Sequence, residues 1–294
     1  MKIAVTGAYG QLGGELCRQL GDGAVPLDID TLDLTDGPGI AKRFRDLKPQ
    51  AVINCAAYTQ VDQAEKEPGV CRAVNVTAVE HLARACRQLD CPLVQISTDY
   101  VFHGEADRRA PYRESDSPSP QSVYAQTKLA GERSAAQNAK HLIVRTCGLY
   151  ARPADERASH FVKTMLRLGS TRSELRIVAD QHCTPSYVPH VARAVLFLAG
   201  VTSRGPAPWG VYHVVNDGAT TWFDFAREIF RQADMELSLQ PITTVEYGAP
   251  AARPPYSVLD TTKYHALGGP PMPDWKAALA EYIQQWKRPR HGGP

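Results

Sequence analysis

The sequence predicts an α/β protein in which a doubly wound parallel sheet is followed by a smaller C-terminal α/β lobe. Two observations predict this fold. Short apolar segments, typical of strands covered on both faces, alternate with segments of helical periodicity. The first of these strands also leads directly into a glycine-rich turn that opens a helix.

The predicted elements follow one another in the order that βαβ units require. In the first half we predict strands at 2–6, 24–27, 51–55, 92–96 and 141–146, and helices beginning near Leu12 and spanning 40–47, 70–89 and 122–139. In the second half we predict helices at 161–168, 188–199, 221–233 and 275–286, and strands at 175–178 and 210–215. We therefore expect a dinucleotide-binding domain at 1–146, completed by about 187–215, and a substrate-binding lobe formed by 147–186 and 216–294.

Composition excludes several classes of partner. The 294 residues include 33 basic and 31 acidic side chains, a balance that favours neither nucleic acid nor an anionic membrane. No stretch is apolar for long enough to span a bilayer, and residues 1–5 enter the glycine turn without a signal peptide, so we expect a cytoplasmic protein. The seven cysteines are scattered and form no CxxC pair, which argues against a zinc site or a disulfide framework.

The glycine-rich turn carries the first functional signal. Gly7, Gly10 and Gly13 are spaced by three between the first strand and the first helix. Glycine lets the backbone approach a pyrophosphate, and the helix N-terminus offers unpaired N–H groups. The spacing GxxGxxG differs from the more common GxGxxG, but its context predicts a Rossmann dinucleotide site rather than a merely structural turn.

Two further segments would line the same cofactor. Asp28 ends the second strand about 20 residues after the glycines, where a carboxylate can accept hydrogen bonds from the adenosine ribose and would repel a 2′-phosphate, favouring NADH. A helix-capping role for Asp30 or Asp33 is the alternative. Small residues in Asn54-Cys55-Ala56-Ala57-Tyr58 would let the cofactor cross the sheet edge, although close helix packing explains them equally well.

A tyrosine and a lysine four residues apart carry the chemical signal. Tyr124 and Lys128 lie on one face of a predicted helix. Reduction of a ketone requires a proton for its oxygen, and a nearby ammonium group lowers the pKa of a phenol that would otherwise titrate near ~10. Thr98, at the end of a strand, could hydrogen-bond the substrate carbonyl. The alternatives are a half-buried tyrosine with a solvated lysine, and a threonine that only caps a loop.

These motifs together resemble the extended short-chain dehydrogenases and, more narrowly, the dTDP-4-dehydrorhamnose reductase family. The similarity covers almost the whole chain in family order. The matching segments are 6–13, NCAAYTQVD at 54–62, STDYVF at 97–102, YAQTKLAGE at 124–132, 145–146, FVKTMLRL at 161–168, 180–181 and 252–259.

The resemblance implies that NADPH or NADH reduces the C4 keto group of dTDP-4-dehydro-L-rhamnose to give dTDP-L-rhamnose. Tyr124 would give the proton, Lys128 would hold the nicotinamide ribose and lower the pKa of Tyr124, and Thr98 and Asp99 would contact the substrate. Arg253 would be a partner of the diphosphate. The implied cofactor contacts are Gly7, Gly10, Gln11, Leu12, Gly13, Asp28, Asp33, Leu34, Ala56, Ala57, Tyr58 and Lys128. We expect a monomer or a homodimer.

The sequence departs from this family at three places. Cys147-Gly148-Leu149-Tyr150 replaces Ser-Trp-Val-Tyr, so we expect Gly148 to leave a larger substrate pocket with less stacking area. His182-Cys183-Thr184-Pro185 replaces a glycine-containing loop. Some members bind magnesium between subunits through acidic residues; Glu15 is retained, but Pro189 stands where a second glutamate is expected, so we expect no metal site.

Two other functional classes stay open at this point. One branch of the family is a non-catalytic regulatory subunit of methionine adenosyltransferase, although loss of the Tyr–Lys pair would be its signature. A nucleotide-sugar epimerase or dehydratase is the second alternative, because Asp99 stands where a dehydratase places its extra acid. Net consumption of NAD(P)H separates a reductase from both.

Overall fold

The computed structural model describes residues 2–104, 107–152, 155, 159–201 and 208–288. Its strands are β1 (Ile3–Thr6), β2 (Ala24–Leu27), β3 (Ala51–Asn54), β4 (Leu93–Thr98), β5 (His141–Thr146), β6 (Leu149–Tyr150), β7 (Glu174–Val178), β8 (His182–Cys183), β9 (Ser186–Tyr187), β10 (Gly210–His213), β11 (Thr220–Thr221) and β12 (Ser238–Ile242). Its α-helices are α1 (Gln11–Leu20), α2 (Gly37–Leu47), α3 (Val61–Ala64), α4 (Pro68–Arg72), α5 (Ala78–Gln88), α6 (Val123–Ala135), α7 (Phe161–Gly169), α8 (Val188–Val201), α9 (Trp222–Gln232), α10 (Thr244–Tyr247), α11 (Thr262–Ala266) and α12 (Trp275–Lys287).

Six strands form a parallel sheet in the order β10-β5-β4-β3-β1-β2. Strands β1, β3 and β4 are buried along their whole length, as expected for strands that are covered on both faces. One apolar core joins the sheet to α1 and α8, and another joins its opposite face to α2 and α5. The doubly wound α/β fold predicted from the sequence is confirmed.

The second half of the chain adds a smaller packed unit. Helices α7, α9 and α12 share an apolar core with Tyr150 and Tyr187, which stack with their ring centroids 5.3 Å apart. Strand β12 pairs in parallel with β7. The sequence did not predict β12, because Pro241 within it weakens the strand signal. The division of the chain into a dinucleotide-binding domain and a substrate-binding lobe stays a prediction.

Two predicted helices differ in detail. The segment predicted as one helix at 70–89 contains a π-helical turn, Ala73–Thr77. The buried side chain of Asn75 in that turn bonds the backbone N–H and carbonyl of Tyr58. Helix α6 was predicted to reach residue 139 but ends at Ala135, since the amide of Asn138 donates to the carbonyls of Cys91 and Lys140 instead. Within the described ranges, no helix combines the length and apolarity that crossing a bilayer requires.

Candidate active site

Two adjoining cavities lie at the carboxyl ends of the parallel strands. The larger has a volume of about 710 Å³ and the smaller about 390 Å³. Gly7, Gly10, Cys55 and Ala57 line both, so the cavities meet at the glycine turn. Ligands bind at this edge in open α/β sheets, and the two volumes together offer an extended groove rather than one compact pocket.

The glycine turn has the shape that a pyrophosphate requires. Gly7 has φ +66°, and a Cβ there would lie 2.6 Å from the backbone nitrogen of Ala56. A Cβ on Gly13 would lie 2.1 Å from the carbonyl oxygen of Gly7. Gly10 is the N-cap of α1 and places no side chain over the free N–H groups of the helix. Gly7 and Gly13 therefore let the turn pack closely on the backbone of its neighbours, and the bare Gly10 leaves the start of α1 open to a phosphate, so the turn fits a dinucleotide.

The smaller cavity holds the acidic residues predicted to lie near the adenosine. Asp28, Asp33 and Leu34 all line it. The Asp28 carboxylate accepts the backbone N–H of Tyr9 at 2.8 Å, which ties the end of β2 to the glycine turn. Asp33 accepts from the backbone and hydroxyl of Thr35, which lowers its pKa. The alternative that Asp30 or Asp33 caps α2 is wrong, because α2 has a different N-cap, Asp36.

The segment that follows β3 lines the cavities with only some of its residues. Ala56 and Ala57 line the cavities. Tyr58, predicted to lie along the cofactor, lines neither; its hydroxyl donates to Glu67 at 3.0 Å. Asn54 is buried and its side chain accepts the N–H of Ala56 at 3.1 Å. This bond holds the backbone just after β3, where the two alanines line the groove.

Tyr124, Lys128 and Thr98 meet in the larger cavity. Ser122 caps α6 by accepting the N–H of Ala125, and the first turn of the helix then presents Tyr124. Lys128, one turn later, is 5% exposed and donates to the carbonyl of Ile96 at 2.7 Å. The alternative of a solvated lysine is therefore excluded. Thr98 also accepts the N–H of Tyr100 at 3.2 Å, so it caps the turn after β4 while lining the cavity.

Burial is the largest cause of the pKa shifts of Lys128 and Tyr124. It lowers the pKa of Lys128 to about 8, with the nearby charge of Glu132 acting in the opposite direction. Burial raises the pKa of Tyr124, and a hydrogen bond with Thr98 opposes part of that rise. The net shift of the Tyr124 pKa is upward, whereas the sequence argument predicted a lowered pKa. The desolvation of the phenolate outweighs the effect expected from Lys128.

Asp99 lines the larger cavity and is buried. It accepts the hydroxyl of Thr98 at 3.1 Å and the hydroxyl of Ser257 at 2.5 Å. Burial raises the pKa of Asp99, and the hydrogen bonds from Ser257, Cys147 and Thr98 oppose that rise. The sequence did not single out Ser257 or Cys147 as neighbours of Asp99. Their contact links the C-terminal segment to the end of β4.

A buried ion pair supports the strands beneath these residues. Glu132 on α6 and Arg145 on β5 form two hydrogen bonds of 2.9 and 2.7 Å, and both side chains are 4% exposed. Ser97 donates to the same carboxylate at 2.6 Å. The network fixes α6 against β4 and β5, and it thereby fixes the distance between Tyr124 and Thr98.

The space beside Gly148 is occupied, contrary to the expectation of a larger pocket with less stacking area. Gly148 has φ +52°, and a Cβ there would lie 3.2 Å from atom Cη2 of Trp222. Trp222 and Phe161 both line the larger cavity, with their ring centroids 4.8 Å apart. Sequence reasoning missed Trp222, because nothing local in the chain relates it to Gly148.

Arg253, predicted to contact a diphosphate, lies outside the lining of the larger cavity. Its guanidinium donates to the carboxylate of Asp62 at 2.9 Å and to the carbonyl of Ala251 at 2.9 Å. Its neighbour Pro254 lines the larger cavity, but Arg253 does not. The structure therefore does not bring Arg253 together with the other predicted site residues.

Glu15 forms ion pairs with two arginines. Its carboxylate bonds both Arg18 and Arg152, and these contacts lower its pKa to about 2 although burial alone would raise it. In the part of the chain that the structure describes, no group of three or more His, Cys, Asp or Glu side chains is arranged to hold a metal ion. Arg152 follows β6 and Glu15 lies on α1, so the contact ties the segment after β6 to the first helix.

The site combines a glycine turn on a doubly wound sheet with a buried tyrosine and lysine beside the hydroxyl of Thr98. This combination defines a nicotinamide-dependent oxidoreductase of the extended short-chain dehydrogenase type. Comparison with known proteins narrows this class. Residues 1–288 match the family model described as the RmlD substrate binding domain, and the chain belongs to that family.

Individual relatives agree with this assignment. A dTDP-4-dehydrorhamnose reductase of Streptomyces griseus is 40% identical over 283 residues, which cover 94% of this chain and 91% of the relative. The crystal structure of a dTDP-4-dehydrorhamnose reductase from Clostridium acetobutylicum has a TM-score of 0.91 at 40% identity and covers 98% of this chain and 100% of its own. The reductase of Bacillus anthracis, solved in complex with NADP, has a TM-score of 0.88 at 37% identity and covers 97% of this chain and 100% of its own.

Proposed function

We propose that this chain reduces the C4 keto group of dTDP-4-dehydro-L-rhamnose with NADPH or NADH, giving dTDP-L-rhamnose. The observation that carries the proposal is the meeting of Tyr124, Lys128 and Thr98 in one cavity that adjoins the glycine turn. The similarity to proteins named dTDP-4-dehydrorhamnose reductase indicates which keto sugar is the substrate.

The chain's own residues have distinct parts in this reaction. When bound, the reduced nicotinamide supplies the hydride for the carbonyl carbon. Thr98 orients the carbonyl oxygen, and Tyr124 gives that oxygen its proton, so that the C=O bond becomes C–OH. Tyr124 is protonated at neutral pH, as an acid must be, but its raised pKa makes it a weaker acid than a free phenol, so the ammonium of Lys128 has to oppose that rise in the reacting complex.

Lys128 and the glycine turn would hold the cofactor. The ammonium of Lys128 is 2.7 Å from the Ile96 carbonyl and has further N–H groups for the nicotinamide ribose. Gly7 and Gly13 allow the tight turn and its close packing, and Gly10 at the N-cap leaves the start of α1 open to the pyrophosphate. Asp28 and Asp33 would face the adenosine ribose.

The test follows the absorbance of NADPH and of NADH with purified protein and enzymatically generated dTDP-4-dehydro-L-rhamnose. Stoichiometric oxidation with formation of dTDP-L-rhamnose supports the proposal. Cofactor binding without oxidation contradicts it and favours the regulatory-subunit alternative, whereas conversion of the sugar without net oxidation favours an epimerase or dehydratase.

A matched pair of variants tests the acid. Tyr124→Phe should bind cofactor normally and lose roughly 10²- to 10⁴-fold in turnover, because the proton donor is gone. Tyr212→Phe also removes a buried phenol on the same fold, but that hydroxyl bonds the carbonyl of Pro208 away from the cavity, so turnover should be retained. Near-normal turnover of Tyr124→Phe would eliminate Tyr124 as the donor.

A further inference from the structure

An aromatic ring takes the place of a side chain at residue 148. Gly148 adopts φ +52°, and a Cβ built on it would lie 3.1 Å from the Cα of Pro185 and 3.2 Å from Cη2 of Trp222. Both contacts are tighter than ordinary van der Waals distances. The outer edge of the Trp222 indole thus lies against the bare backbone of Gly148, which could not carry a side chain without displacing the ring.

The indole is held firmly in this position. Trp222 is the first residue of α9, and the preceding Thr221 caps that helix by accepting the N–H of Asp224 at 3.0 Å. Strand β11, which contains Thr221, pairs with β8, so the start of α9 is tied to the cavity wall. Phe161 packs against the indole at a centroid distance of 4.8 Å. A ring so confined is a preformed surface rather than an adaptable one.

The position of the ring relative to the reacting group is set by the sheet. Strands β4 and β5 pair in a register that places Thr98 beside Thr146. Gly148 follows Thr146 by two residues, so the Trp222 edge lies close to the strand ends that carry Thr98. In the proposed reaction the carbonyl of the hexose lies at Thr98 and Tyr124. The part of the substrate beside Trp222 is therefore the hexose and not the base.

We propose that the Trp222 indole is the surface on which the hexose of the nucleotide sugar packs, and that Gly148 makes room for it. The inference rests on the proposed function. A pyranose presents C–H groups on one face, and an aromatic ring offers these a large, rigid apolar contact with a negatively polarised face. Trp222 is a specificity-determining residue in this arrangement, because a flat ring discriminates between sugars by which face carries axial hydroxyls.

The experiment measures binding of dTDP-L-rhamnose and of dTDP alone by calorimetry, with cofactor present, to wild type, Trp222→Leu and Trp222→Phe. Loss of the indole should weaken the affinity for dTDP-L-rhamnose roughly tenfold in Trp222→Leu and by less in Trp222→Phe. The affinity for dTDP should change by less than about twofold in both variants. Trp286→Phe is the control, since Trp286 is 40% exposed on α12 and lines neither cavity.

The outcomes separate this inference from the proposed function. Equal weakening of both ligands would show that Trp222 holds the nucleotide, and an unchanged affinity for dTDP-L-rhamnose would show that it holds nothing; either result overturns the inference while wild-type oxidation of NAD(P)H still supports the reductase. A wild type that neither binds dTDP-L-rhamnose nor oxidises NAD(P)H with the keto sugar overturns both. Normal cofactor affinity and far-ultraviolet circular dichroism of Trp222→Leu confirm that a weakened complex does not reflect misfolding, and Trp222→Phe, which keeps a ring, repeats the comparison.

Discussion

Replacing Lys128 by methionine should make the cofactor-free protein more stable while abolishing turnover. Burial lowers the Lys128 pKa from its ordinary 10.5 to about 8. That difference corresponds to about 3 kcal/mol by which the folded chain disfavours the protonated lysine at pH 7. Methionine has a similar length and carries no charge, so it removes this cost.

The hydrogen bond lost in the variant offsets part of the gain. Lys128 donates to the Ile96 carbonyl, but that oxygen also accepts the side-chain amide of Gln95 at 2.9 Å and does not become unsatisfied. Loss of the bond should cost about 1 kcal/mol. The net expectation is an increase of about 2 kcal/mol in the free energy of unfolding at pH 7, measured by urea denaturation.

The pH dependence of stability tests separately whether the buried lysine destabilises the wild type. Between pH about 8 and 10.5 the folded wild type binds fewer protons at Lys128 than the unfolded chain does, so its stability rises with pH. Lys128→Met lacks this contribution, and the gap between variant and wild type should narrow from pH 7 to pH 10. Lys263→Met is the control, because Lys263 also donates to a backbone carbonyl, that of Val211, at 2.7 Å but is exposed.

Two results would refute this reasoning. The first is a variant that is less stable than wild type at pH 7, which would mean that the ammonium contributes more to folding than its burial costs. The second is a gap that stays constant with pH, which would mean that the pKa of Lys128 is not lowered. Lys263→Met should change stability by less than about 1 kcal/mol at either pH.

Three further predictions address other parts of the molecule. Glu132→Gln should lower the free energy of unfolding by about 3–5 kcal/mol in urea, since it leaves the buried guanidinium of Arg145 without an anionic partner; a loss below about 1 kcal/mol would contradict this. Asp28→Asn should raise the affinity for NADPH relative to NADH by roughly tenfold in fluorescence titrations, because a carboxylate repels a 2′-phosphate; an unchanged ratio would show that Asp28 does not set the preference. Gly148→Trp should weaken binding of dTDP-L-rhamnose in calorimetry, since φ is +52° and Trp222 already fills the space; tighter binding would show that the pocket has room.

Much of the fold and part of the site follow from local sequence patterns. The buried strands and amphipathic helices have periodicities that any short window displays, and the doubly wound sheet follows from their alternation. The glycine turn and the Tyr124–Lys128 spacing are equally local, because a turn needs three residues in sequence and a helix face repeats every four. Errors fell where a buried side chain overrides the pattern, as at Asn75 and Asn138.

The tertiary structure alone decided what surrounds these residues. Ser257 donates to Asp99 across 158 residues of chain, and Arg253 donates to Asp62 across 191. No local pattern could predict that Ser257 lines the larger cavity while Arg253 does not. The filling of the space beside Gly148 by Trp222 has the same origin. The direction of the Tyr124 pKa shift also depended on burial by the whole fold. Sequence spacing fixes which groups can share a helix face or a turn, whereas desolvation and contacts between distant segments arise only once the chain has packed.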